Sequence, residues 1–116
     1  TDRGGGSTIL ELPWSYGIDD AMFFNSHWQG SLTNEQRLSD PDRVEEMWWQ
    51  GFLHQYREGG YLNIVLHPFI SGRALRIAML DRLIVSMKRL PGIWFPTCED
   101  VARHCLEQQP PRRAAA

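Results

Sequence analysis

Cysteine is scarce in this chain. Cys98 and Cys105 are the only two, seven positions apart on a stretch that reads as one helix. That spacing separates them by about two turns, too far for a disulfide. It matches no zinc pattern either. Reduced thiols fit a cytoplasmic origin. No apolar run approaches the roughly 20 residues that a membrane span needs. No charged-then-apolar leader opens the chain, so no signal peptide is visible. A surplus of one charge is missing as well. Twelve basic residues face fourteen acidic ones, a net charge of −2, which gives no pull toward nucleic acid or an anionic membrane. Arg112 and Arg113 are too few to make a basic patch. There is no internal repeat, no H-x-x-x-H, no P-loop and no dinucleotide fingerprint. The sequence shows no complete metal site, because three or four clustered ligands are missing.

What is present is ordinary globular chemistry: 116 residues, 42% hydrophobic and 22% charged. Ile9–Leu12 is short, apolar and β-compatible, and Pro13 stops it. Residues 13–38 are aromatic and polar without a clean period, which reads as a long connection of the kind that often carries function. Ser39-Asp40-Pro41 is a helix start, and Val44, Trp48, Phe52 and Gln55/Tyr56 then recur at helical spacing until Gly59-Gly60. Tyr61–Leu66 reads as a buried strand, and Ser71-Gly72 as a turn. From Arg73 to Leu90 the set Ile77, Leu80, Leu83, Ile84 and Met87 fits a helix face, broken by Pro91-Gly92. Ile93–Phe95 is a third short strand. Thr97 and Asp100 resemble a capping box that opens a last helix, Cys98 to about Gln108. The order strand, loop, helix, strand, helix, strand, helix predicts an α/β fold with parallel strands. Three strands cannot close a barrel and leave two edges open. With the abrupt glycine-rich opening "TDRGGGSTILEL", this predicts the C-terminal part of a larger α/β protein. The ends, 1–8 and 109–116, are expected to be poorly ordered.

Active sites in parallel α/β folds lie at the C-terminal ends of strands. His67 is the first residue after the strand 61–66, and its imidazole can serve as acid or base near neutral pH. It either stands at a site or is a strand-end histidine bonded to a neighbouring loop. Asp19 and Asp20 are adjacent carboxylates among Trp14, Tyr16, Phe23 and Phe24. They need a metal, an arginine or a protonated histidine nearby, or else they form a turn or a helix cap. His27, beside Trp28, could touch a ligand, whereas His54 and His104 sit within helices and read as surface or packing residues. Trp48 and Trp49 read as core and interface.

Three segments together resemble a known family. "LPWSYGIDDAMFF", then "YREGGYLNIVLHPFISGR", then "GIWFPTCEDVARH" look like the C-terminal half of polysaccharide deacetylases of the NodB type. The likeness lies nearest the subgroup of peptidoglycan-deacetylase-like and allantoinase-like enzymes, and runs from about Ile9 to His104. It implies a distorted (β/α) barrel with fewer than eight full units, a divalent metal, usually zinc, and hydrolysis of an amide, typically an N-acetyl group on a sugar. It implies that His67 is the general acid that protonates the leaving amine. Asp20 is the carboxylate that hydrogen-bonds and tunes it. Trp14 and Leu66 match residues walling the acetyl pocket, with Asp19 beside them. The family's catalytic-base aspartate, metal-binding aspartate and paired metal histidines lie in the N-terminal half. This chain therefore holds no metal ligand or cofactor of its own under that reading.

The expectation is thus one part of a metal-dependent hydrolase acting on an amino-sugar polymer. Two alternatives stand beside it: an amidohydrolase of a small cyclic imide or ureide, and a non-catalytic module that pairs with a second chain. A carbohydrate or small amide is the expected substrate, nucleic acid and membrane are not expected partners, and self-association or a partner chain is. Trp48 and Trp49 are candidates for the surface that such a partner covers.

Overall fold

The computed structural model describes residues 10–24 and 39–108. Two compact units divide the chain, Pro13–Pro91 and a second made of Thr1–Leu12 with Gly92–Ala116. The expected disordered ends and His27 lie outside the described residues.

In the larger unit, a 3-10 turn over Tyr16–Ile18 leads into α1, Asp20–Phe24. Then come α2, Pro41–Arg57; the single turn α3, Pro68–Ser71; and α4, Ala74–Lys88. Helix α2 begins where the sequence predicts. The Asp40 carboxylate accepts the Asp42 N–H at 3.0 Å, and Pro41 loses nothing at a position whose N–H has no helical partner. Val44, Trp48 and Phe52, four residues apart, are its buried stripe. Its end is a Schellman turn: Gly60 N–H bonds Gln55 C=O at 2.8 Å and Gly59 N–H bonds Tyr56 C=O at 3.2 Å. That closure puts Gly59 at φ 63°, which a side chain would strain.

Helix α2 packs on α4, and the short helices α1 and α3 pack on each other. The face of α4 differs from the expected one. Met79, Leu80, Leu83 and Met87 are buried, while Ile77 and Ile84 are 48% and 36% exposed. Leu75 and Val85 are exposed as well, so α4 is apolar on every side. Periodicity cannot choose a face on such a helix, and the packing partner chooses instead.

The strands are the larger correction. Among the described residues there is no strand, and the β-pairing is one parallel bridge, Asp19 to Val65. Leu10–Leu12, Tyr61–Leu66 and Ile93–Phe95 form none of the three expected strands, and no residue of 61–66 is buried. A strand is completed by neighbours that take its hydrogen bonds, and among the described residues segment 61–66 is β-paired at one position, Val65. The long connection 13–38 is also more regular than expected, since its described part holds the 3-10 turn and α1. Trp48 is 1% exposed and belongs to the core, so it is no candidate for an uncovered surface; Trp49 is half-buried.

In the smaller unit, α5 spans Cys98–Gln108. Its start is the expected box. The Thr97 hydroxyl accepts the Asp100 N–H at 3.1 Å, and the Asp100 carboxylate accepts the Thr97 N–H at 3.2 Å. Both cysteines are free thiols. No helix among the described residues is long and apolar enough to cross a membrane.

Candidate active site

Two short segments meet at the bridge. Val65 N–H donates to Ile18 C=O at 2.9 Å, and Asp20 N–H donates to Val65 C=O at 3.1 Å. The turn before it is pinned from α2, where the Trp48 indole N–H donates to Gly17 C=O at 3.0 Å. Asp19 then caps α1: its Oδ1 accepts the Ala21 N–H at 2.9 Å. Across the bridge, His67 precedes α3 with extended backbone, and Pro68 takes the first helical position.

This register brings Asp20 against His67. The ring Nδ1 lies 2.7 Å from Asp20 Oδ1. Asp20 Oδ2 accepts the His67 backbone N–H at 2.9 Å and the Ser71 hydroxyl at 2.6 Å. Asp20 is 0% exposed, whereas the His67 side chain is 26% exposed. A buried carboxylate that can only accept thus faces Nδ1, so Nδ1 carries a proton. The partly exposed imidazole links the buried carboxylate to the surface. The Phe69 ring stands edge-on to the imidazole with centroids 5.6 Å apart.

The other candidate residues are placed less closely. Asp19 is buried, with Oδ1 3.8 Å from His67 Nδ1, beyond a hydrogen bond and engaged in its cap. Trp14 and Leu66 are exposed, and Trp14 packs edge-on against Tyr16 at 5.1 Å. Ser71 is the member that sequence reading missed. Proline directly after His67 is a helix-start signal, and a turn begun there ends at Ser71.

Asp19, Asp20 and His67 bring potential metal-ligand atoms within 4.8 Å of one another. The three do not fit as joint ligands of one divalent cation through Nδ1 in this arrangement. Nδ1, the ring nitrogen that lies near both carboxylates, is turned to Asp20 Oδ1 at 2.7 Å, so it does not join them around a shared ion. Both Asp20 oxygens are already engaged by donors. Of the three, Asp20 and His67 share a hydrogen bond, and Asp19 does not join it.

A solved structure from Mycobacterium smegmatis, described as a "putative polysaccharide deacetylase", is similar to this chain with a TM-score of 0.72 and 25% identity. The fold of this chain is similar to that of the matching part of that protein. The likeness covers 90% of this chain and 36% of that one, so the chain spans little more than a third of that protein's length. No protein-family profile matches the chain. No curated protein matches it.

Proposed function

We propose that this chain supplies the acid half of a hydrolase that removes N-acetyl groups from an amino-sugar polymer, as part of a distorted barrel. The observation that carries the reading is the 2.7 Å contact between His67 and a fully buried Asp20, on a fold similar to a deacetylase-like neighbour. Amide hydrolysis adds water to the carbonyl and must put a proton on nitrogen before the C–N bond breaks. In this reading His67 Nε2 delivers that proton. Asp20 keeps Nδ1 protonated and steadies the imidazolium before the transfer. The family that the sequence resembles uses a divalent metal, which would activate the water. In this reading the metal ligands and the base come from residues other than Asp19, Asp20 and His67. Trp14 and Leu66 border the acyl group.

The test is acetate release from an N-acetylated glucosamine oligomer by the protein that carries this chain, compared with its His67→Ala variant. Turnover should fall by about 100- to 10,000-fold. A variant with unchanged turnover would refute the acid role. Release of product from a cyclic ureide, with none from the oligomer, would move the substrate class and keep the chemistry.

A further inference from the structure

Ser71 sits 4% exposed at the end of α3, and its hydroxyl donates to Asp20 Oδ2 at 2.6 Å across 51 residues of sequence. A serine in a helical turn has a nearer choice, because it can bond back to a carbonyl three or four residues earlier. Here the carbonyl four residues back, that of His67, takes the Ser71 backbone N–H at 2.9 Å. The hydroxyl is spent on the carboxylate. The result is a closed circuit. His67 C=O receives Ser71 N–H, Ser71 Oγ–H reaches Asp20 Oδ2, and Asp20 Oδ1 faces His67 Nδ1.

A carboxylate needs such holding. The torsion that turns its plane is broad and roughly two-fold, so it does not fix its own orientation. Two donors on Oδ2, the His67 N–H and the Ser71 hydroxyl, stop that rotation and leave Oδ1 aimed at the ring. The turn that carries Ser71 is itself tight. Gly72 N–H bonds Pro68 C=O at 3.0 Å, and a Cβ on Gly72 would lie 2.3 Å from that oxygen.

We infer that Ser71 is a positioning residue for the proposed hydrolysis: it locks the Asp20 carboxylate and thereby keeps the proton on His67 Nδ1. This rests on the acid role given to His67, but its test reads the tautomer directly and needs no substrate. Nitrogen NMR of the histidine-labelled chain distinguishes the two neutral tautomers. Neutral His67 in the wild type should hold its proton on Nδ1. In Ser71→Ala that population should drop by about twofold or more, because a carboxylate with one donor on Oδ2 no longer dictates the ring's tautomer. Ser71→Thr keeps a hydroxyl and should restore it, whereas Ser71→Val, of the same shape, should not. A Ser71→Ala or Ser71→Val chain that folds and retains the wild-type tautomer overturns the inference. If Ser71→Ala does not fold, equal tautomer populations in the threonine and valine variants overturn it as well. A tautomer shift in a protein that releases no acetate would leave Ser71's role standing and remove the substrate assignment alone.

Discussion

Replacing Asp20 tests the centre of the site, and the outcome follows from counting donors. Its carboxylate accepts three: the His67 N–H and the Ser71 hydroxyl on Oδ2, and the His67 ring on Oδ1. Asp20→Ala leaves the first two without that partner, the Ser71 hydroxyl in a buried place and the His67 N–H in a part-buried one. Each such loss costs about 1–3 kcal/mol, so with two of them the variant should lose about 2–6 kcal/mol. That is a large share of the roughly 5–15 kcal/mol that holds a typical domain together. Asp20→Asn is the finer probe. An amide has one accepting oxygen and one donating nitrogen. The position facing two donors must take the oxygen, which leaves the NH2 facing Nδ1. Nδ1 then has to accept, and the ring proton of the neutral form moves to Nε2. The cost should be only about 1–2 kcal/mol, since two of the three bonds survive with a neutral acceptor. Urea denaturation with an unchanged slope gives the stabilities, and histidine nitrogen NMR gives the tautomer. The reasoning fails if Asp20→Asn keeps the proton on Nδ1, or if Asp20→Ala is as stable as the wild type.

Two further outcomes can be checked on the chain by itself. Gly72→Ala pushes a methyl against the Pro68 carbonyl, 2.3 Å away, so α3 must shift; the expected cost is about 1–3 kcal/mol, with amide shifts concentrated over residues 67–72. Asp100 supplies a pH dependence. The Thr97 hydroxyl first, then the Thr97 N–H and the Arg103 charge, hold its carboxyl below the ordinary value of 3.8. A lowered value in the fold means support for α5 that is complete above 3.8 and lost as pH falls through the lower folded value. Amide protection in the first turn of α5, taken relative to the intrinsic exchange rate at each pH, should therefore fall on acidification below that range. Asp100→Asn should remove most of the dependence, and an unaltered acid response in that variant would contradict the assignment.

Much of the site could be read in one dimension. His67 was picked out by its place after an apolar run, and Asp20 by its carboxylate neighbour and by likeness to deacetylase motifs. Their 2.7 Å contact is a fact of the fold. The two residues stand 47 positions apart, and no local rule joins them. Asp19 shows the limit most plainly. It carries the same side chain as Asp20 and is expected with the pocket residues Trp14 and Leu66, yet its carboxylate caps α1 while that of Asp20 turns inward to His67. Side chains of consecutive residues leave the backbone in different directions, so neighbours in sequence need not share a site.

Helix ends belong to the chain itself. Asp40-Pro41, Gly59-Gly60 and the Thr97–Asp100 box act through hydrogen bonds to residues within a few positions, so their effect is present in any context. Tertiary structure alone decided three other things: which of the apolar residues spread around α4 are buried, that among the described residues Tyr61–Leu66 is β-paired at a single position instead of along a strand, and that Ser71 joins Asp20. Burial, strand pairing and the Ser71–Asp20 bond each need a partner from elsewhere in the chain. The physical cause is the same in each case: an apolar face or an unpaired polar group has no preferred state until another part of the molecule arrives to cover or bond it.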